Sequence, residues 1–270
     1  MPIEHSVDIK SISHDDLQAL DYLVMGHAFA LHRELGHFWH ERIYQTELAR
    51  RCREAGFSKV KTEVPIEVSY RDFRKTYYVD LIIDEAIVYE LKTVRALTGE
   101  HQQQILNYLF LLGGQRGKLI NFRRSSVEYR FVSTNIKSAH RFEYTIEDDQ
   151  WEARDDDSVW LKQTFLELLK EWGVFLDTAL FHEAIVYLRG GEQTAVQEMD
   201  VWHQGHLLGK QKVPLLNPET AFKISALTRY ADCDYYKSHL VRLLKYTSLK
   251  TVQWINLNRN QVVFTTVKAI

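Results

Sequence analysis

Residues 59–92 read as three strands in succession, and the third carries an acid and a lysine two positions apart, Glu90 and Lys92. Val60, Thr62, Val64, Ile66 and Val68 alternate with more polar residues, the period of a half-buried strand. Arg71-Asp72-Phe73-Arg74 suits a hairpin connection, and strands follow at 75–83 and 86–92 with a tight turn at Asp84-Glu85. On the third strand Glu90 and Lys92 point to one face, leaving Ile87, Tyr89 and Leu91 to pack against helices on the other. Asp80 lies toward the end of the strand before. A helix is expected over 98–112, stopped by Gly113-Gly114, with Gln104 and Tyr108 four apart on one side. Strands at 117–122 and 127–133 complete the run.

Two helices precede these strands. Ser13 stands three before Asp16, which suits a helix start. Leu17, Leu20, Leu23, Val24, Leu31 and Leu35 follow at helical spacing, with Gly36 to end them. A second helix is expected from Trp39 to Ala55, closed by Gly56. The order is therefore α-α-β-β-β-α-β-β, an α/β arrangement.

Bulk properties exclude several classes. The 270 residues suffice for one large domain or two ordinary ones. The formal net charge of −2 leaves whole-molecule attraction to a polyanion weak, so any nucleic acid must meet a local basic face or a bridging cation. Two cysteines, Cys52 and Cys233, are too few for a disulfide framework and are expected to be reduced thiols of a cytoplasmic protein. The first residues show no basic segment followed by an apolar run, so no signal peptide is expected. No apolar run is long enough to span a membrane. The histidines are scattered, without zinc spacing.

Residues 145–158 are rich in Asp and Glu and read as an acidic linker, after which Ser158 is expected to cap a helix through Trp160, Phe165 and Trp172. The chain then repeats itself. Glu34-Leu-Gly36 resembles Glu171-Trp-Gly173, Tyr44 meets Phe181, and Ile120-Asn121-Phe122 meets Ile255-Asn256-Leu257. These matches give three segments: a first domain over 1–144, the linker 145–158, and a second copy over 159–270. In that copy Asp80 aligns with Pro214, Glu90 with Ile224, Lys92 with Ala226 and Tyr108 with Leu243. The second half is expected to be catalytically dead and to serve as an interface for a partner protein or another copy of the chain.

Asp80, Glu90 and Lys92 suit metal-assisted hydrolysis of a phosphodiester. Mg2+ or Mn2+ takes oxygen ligands and keeps waters in its remaining positions. Carboxylates on neighbouring strands can hold such an ion, and the carbonyl of Leu91 can add a ligand. Lys92 would orient a water or neutralise developing charge. Gln104 and Tyr108 would hold the water network or a phosphate.

These residues, in order, resemble a known family. His32-Arg-Glu-Leu-Gly36, Glu41 with Tyr44, Asp80, Glu90-Leu-Lys92, His101 with Gln104, Asn107-Tyr108-Leu109 and Ile120-Asn121-Phe122 are similar to the GxxExxY family of the PD-(D/E)XK nuclease superfamily over about residues 20–133. Phe38 stands where that family has its naming glycine. The resemblance implies a restriction-endonuclease-like αβββαβ core, a mixed central sheet flanked by helices with the site at one sheet edge, and a magnesium-dependent nuclease activity; the internal repeat implies that this core is duplicated in tandem. It also makes Glu41 a helix-borne acid facing the metal.

Arg74, Lys75, Arg95, Lys118 and Arg123 form a candidate rim for nucleic acid, with DNA expected before RNA. Tyr77, Tyr78, Phe38 and Trp39 suit either base stacking or core packing, with core packing the preferred reading. The competing functions are a non-catalytic binding module that has kept part of an old site and a scaffold subunit.

Overall fold

The computed structural model describes residues 2–269. The chain divides into two units: Met1–Ser69 with Arg74–Ser138, and Tyr70–Phe73 with Ala139–Ile270. Among the described residues no helix is long and apolar enough to cross a membrane.

The first unit begins with the short strand β1 (Ile3–His5), which pairs antiparallel with β2 (Val60–Tyr70). Between them run α1 (His14–Leu35) and α2 (Glu41–Glu54). Ser13 caps α1 by accepting the Asp16 amide, as its spacing predicts. Next come β3 (Phe73–Ile83), β4 (Ile87–Lys92), α3 (Gly99–Leu112), β5 (Arg116–Asn121) and β6 (Glu128–Ser133). The sheet order is β1-β2-β3-β4-β5-β6. β3 and β4 are antiparallel, β4 and β5 parallel across α3, and β5 and β6 antiparallel.

Every residue of β4 is buried, because helices cover both faces of the sheet there. Ile87, Tyr89 and Leu91 join Leu31, Tyr44, Leu48 and Phe122 in the core against α1 and α2. Burying each such side chain contributes roughly 1.5–3 kcal/mol. Glu90 and Lys92 consequently turn to the opposite face. On that face Gly117 lets α3 lie close to the sheet: a Cβ there would sit 2.7 Å from Ile105 Cδ1 and 3.3 Å from the Val88 carbonyl.

The second unit contains β7 (Thr145–Gln150), α4 (Asp156–Trp172), α5 (Thr178–Leu188), the one-turn α6 (Glu192–Ala195), β8 (Val196–His203), β9 (His206–Asn217), β10 (Thr220–Ser225), α7 (Tyr230–Tyr246), β11 (Thr251–Asn258) and β12 (Gln261–Lys268). Its sheet order is β7-β12-β11-β10-β9-β8. Pairing senses repeat those of the first unit: β9 and β10 are antiparallel, β10 and β11 parallel across α7, and β11 and β12 antiparallel. Phe165, Trp172 and Phe181 pack α4 on α5, with ring centroids 5.2 and 5.6 Å from Phe181.

Two expectations change here. The acidic stretch is no simple linker, since Thr145–Gln150 forms edge strand β7, parallel to β12. Its six side chains are all exposed, so backbone pairing holds it without an apolar face. The cap of α4 is Asp155, which accepts the Ser158 amide at 2.7 Å, while Ser158 itself is buried inside the helix.

Candidate metal and nucleic-acid site

The site of the first unit is assembled from β3, β4, α2 and α3. Asp80 on β3 is fixed by the β4 backbone: its Oδ2 accepts the Leu91 amide at 2.7 Å. One residue away along β4, Glu90 is 2 % exposed. Its Oε1 takes the Lys92 ammonium at 2.6 Å, and its Oε2 is buried without a hydrogen-bond partner. Glu41, at the first position of α2, lies 3.9 Å from the same ammonium. Gln104 and Tyr108, one turn apart on α3, bond to each other at 2.9 Å, and the Tyr108 hydroxyl feels the charges of Glu90 and Asp80. All six expected residues are thus in one cluster, and none is an exposed strand-edge pair.

The electrostatics follow from that crowding. Burial pushes the Glu90 carboxyl up to about 8, and the Asp80 charge adds to the shift against the pull of Lys92. Asp80 is raised to about 6, again chiefly by burial, with the Leu91 amide and Lys92 opposing and Glu41 and Glu63 reinforcing. Glu41 is raised by burial as well. Burial works against the Lys92 ammonium, but Glu90, Glu41 and Asp80 outweigh it and hold its pKa above the ordinary value. Three acids therefore share one cation, Lys92, and one buried carboxylate oxygen has nothing to bond.

That arrangement fits a hard divalent ion, which would neutralise the mutual repulsion and occupy the partnerless Glu90 oxygen. Asp80 and Glu90 are the side chains suited to hold it, with the Leu91 carbonyl as a backbone candidate. Among the described residues no group of three or more His, Cys, Asp or Glu is gathered closely enough to hold a metal by side chains alone. A two-carboxylate site completed by backbone and solvent oxygen is the coordination these residues can supply.

Two residues at the site were not anticipated. Gln45, one turn after Glu41 on α2, is buried and donates to the Asp80 carbonyl at 2.8 Å and to Glu63 Oε1 at 2.6 Å. Its i+4 spacing from Glu41 is the signal that could have found it. Glu63 sits on β2 with φ of 50°, a left-handed backbone uncommon for a residue other than glycine. No sequence signal marked that conformation.

The expected basic rim divides. Arg95 and Arg123 line an open cleft of about 920 Å³ with Arg124 and His101. Lys118 does not belong to the rim: it is buried, ion-paired to Asp21, and lies 4.9 Å from the Tyr129 ring. Arg74 and Lys75 are on β3 and do not line the cleft, Arg74 lying beside Glu67 and Lys75 over the Tyr77 ring. Tyr77 packs edge-on against Tyr108.

The cleft lies at the C-terminal ends of parallel strands β4 and β5, and its two loops are stitched together by Asn121. The Asn121 Oδ1 accepts the amides of Val94 and Arg123, and its Nδ2 donates to the Val94 carbonyl and to Glu128. The second unit repeats this bracket: Asn256 Oδ1 accepts the Leu227 amide at 2.8 Å and its Nδ2 donates to the Leu227 carbonyl at 2.9 Å. With Lys92 paired to Asn121 and Ser225 paired to Asn256, the position of Lys92 holds Ser225 and that of Glu90 holds Lys223. The pairs Ile82–Val88 and Leu215–Ala221 put Val213 at the position of Asp80. These are one residue from the Ala226, Ile224 and Pro214 expected from sequence. Neither register leaves an acid at any of the three positions.

Comparison with known proteins bears on the first unit. No curated protein matches the chain. A solved structure described as "Crystal structure of SSO0001" shares 22 % identity over 46 % of this chain and 61 % of its own, with a TM-score of 0.29. The chain therefore spans about three fifths of that structure's length. Residues 18–132, which run from α1 to β6 and contain the whole acid cluster, match the family model of the PD-(D/E)XK nuclease superfamily.

Proposed function

We propose that the first unit is a metal-dependent nuclease that hydrolyses phosphodiester bonds, with DNA as the expected polymer and Mg2+ or Mn2+ as the ion. The observation that carries this reading is Glu90: a buried carboxylate beside Asp80, with one oxygen on Lys92 and the other on nothing. The superfamily match over the same residues supports the nuclease class.

When bound, the cation would polarise a phosphoryl oxygen and acidify a water. Asp80 and Glu90 would hold the ion, and the Leu91 amide, bonded to Asp80 Oδ2, fixes the Asp80 carboxylate in place. Lys92, whose ammonium sits on Glu90 Oε1 at 2.6 Å, would orient the attacking water or neutralise charge developing on the phosphate. Glu41 stays beside Lys92 and limits how far it can swing. Tyr108, whose hydroxyl accepts from Gln104, would donate its proton to a phosphate oxygen. Gln45 ties α2 to β3, so Glu41 and Asp80 keep their spacing.

The second unit reads as a degenerate copy of the first. Its repeated strand pairing and asparagine bracket support common descent, and Val213, Lys223 and Ser225 leave it without ligands. It is available as an interaction module for another chain or a second copy.

The test is cleavage of single-stranded, duplex and branched DNA and RNA by the purified protein with Mg2+ or Mn2+ and with a chelator. Asp80→Asn, Glu90→Gln and Lys92→Met should each abolish metal-dependent cleavage while the protein stays folded. Equal cleavage by all three and the wild type would refute the site.

A further inference from the structure

Several arginines elsewhere in the chain, Arg50, Arg51, Arg71, Arg189 and Arg229, are neutralised by acids. Arg95, Arg123 and Arg124 are exposed, line one cleft, and make no ion pair among the described residues. Three like charges are held together there by a purpose-built frame. Asn121 fixes the amides of Val94 and Arg123, Glu128 accepts the Leu97 amide, and His32 Nε2 donates to the Arg124 carbonyl at 2.9 Å. His101 Nδ1 accepts the Thr98 amide, so that ring also belongs to the frame.

The loop between α1 and α2 carries a second feature. The His37 ring stacks on His32 with centroids 6.2 Å apart, and Phe38 contacts His37 at 4.4 Å, so contacts run from the Arg124 carbonyl through His32 and His37 to Phe38. Phe38 is 78 % exposed and Trp39 49 % exposed. Neither is core, contrary to the preferred reading of their sequence. Trp39 is nonetheless fixed, because its indole N–H donates to the Leu35 carbonyl at 2.8 Å. Two residues later the chain reaches Glu41, whose carboxylate takes the Thr93 amide at the mouth of the same cleft.

We propose that this surface binds single-stranded nucleic acid, with phosphates against Arg95, Arg123 and Arg124 and unpaired bases against Phe38 and Trp39. The proposal names the substrate class of the nuclease reading and rests on it. A duplex offers phosphates to the arginines but keeps its base faces stacked inside, so exposed rings gain nothing from it. A single strand offers both, and stacking on fixed rings suits any base. The chain's net charge of −2 makes attraction to a polyanion depend on local clusters of cations such as this one.

The test is fluorescence anisotropy with labelled oligothymidine, oligouridine and a blunt duplex of equal length, in chelator, over a range of salt. The wild type should bind a single strand at least tenfold more tightly than the duplex, and the two single strands distinguish DNA from RNA. Arg95→Gln/Arg123→Gln/Arg124→Gln should reduce the log–log salt slope for single strands by about 2, roughly 0.7 for each phosphate no longer neutralised. Phe38→Ala, which removes only an exposed ring, and Phe38→Ala/Trp39→Ala should weaken single-strand binding, the double variant roughly tenfold, with the slope unchanged. Preference for the duplex, or wild-type binding by both sets of variants, would overturn the proposal. Asp80→Asn in chelator should bind as the wild type does. Lost cleavage with binding intact therefore bears on the acid cluster, and lost discrimination with cleavage intact bears on the cleft.

Discussion

Asn121 and Asn256 perform the same task in the two units. Each bridges both backbone polar groups of the residue two beyond the end of its central strand. The chemistry beside them differs completely. Next to Asn121 stand Lys92 and Glu90; next to Asn256 stand Ser225, bonded to Asn256 and the Trp254 indole, and Lys223, whose ammonium is destabilised by burial. The loops differ too. The first unit opens a cleft with three arginines, whereas the second has a smaller one of about 320 Å³ whose charged lining is Glu147, Asp234 and Lys237. Scaffold and chemistry are therefore separable in this fold: the bracket organises the crossover loops whether or not a reactive site sits beneath them.

The sharpest way to break that comparison is to exchange a position. Glu90→Gln should lower metal-dependent cleavage by roughly a thousandfold. Lys223→Gln, at the matching position, should leave it unchanged in the same assay. If both reduced activity, the second unit would be part of the site.

The next effect concerns the bracket. Asn121→Ala and Asn256→Ala each remove the partner of a part-buried backbone N–H and C=O, at a cost of roughly 1–3 kcal/mol in stability. Denaturant titration should find comparable losses, but only Asn121→Ala should also weaken nucleic-acid binding.

A smaller effect is the pH response of the metal-free protein. Glu90 and Asp80 have folded pKa values raised to about 8 and about 6. The folded state therefore holds protons that the unfolded chain has released. Stability is full below about pH 4, where both states are protonated, and falls as pH rises toward about 8. Thermal melts in chelator should show this fall, Glu90→Gln should flatten it, and Mg2+ should restore stability most strongly at high pH. Lys223 carries no carboxylate of this kind, so Lys223→Gln should leave the slope as it was.

The smallest effect imports a residue of one unit into the other. Tyr44, matched by Phe181, stacks on Phe122 at 4.4 Å and donates to the Gly36 carbonyl at 2.7 Å. Tyr44→Phe should cost about 1 kcal/mol, measured by denaturant titration. It should also loosen the Phe38–Trp39 loop, visible as faster amide exchange there.

Much of the fold and the site was legible in the sequence. Period-2 alternation over 60–68 and the turn at Asp84-Glu85 located β2, β3 and β4 because one side of each must meet a core. Ser13 announced α1 through its own hydrogen bond. The acid cluster was legible because side chains two apart on a strand, or four apart on a helix, must share a face. What escaped were features without periodicity. β1 is too short to show a pattern, and β7 is an all-exposed edge strand recruited by backbone pairing. Lys118 looked like any basic residue of the rim until Asp21 was seen beside it. Gln45 depends on tertiary approach to Asp80, and Glu63 on an unusual φ. The cleft unites Arg95 with Arg123 and Arg124 only because the crossover brings two loops to the same ends of β4 and β5.

Gly117 has a further consequence. Val252 occupies the matching place in the second unit, paired with Ala221 as Gly117 is with Val88. A lone hydrogen at that point in the first unit acts as a depth stop, setting how far Ile105 and the rest of α3 sink toward the strands. Tyr108 rides on the same helix, so one missing methyl group governs the reach of a hydroxyl three residues further on. Gly117→Ala would then detune the site by lifting its ceiling, with every charged group still in place.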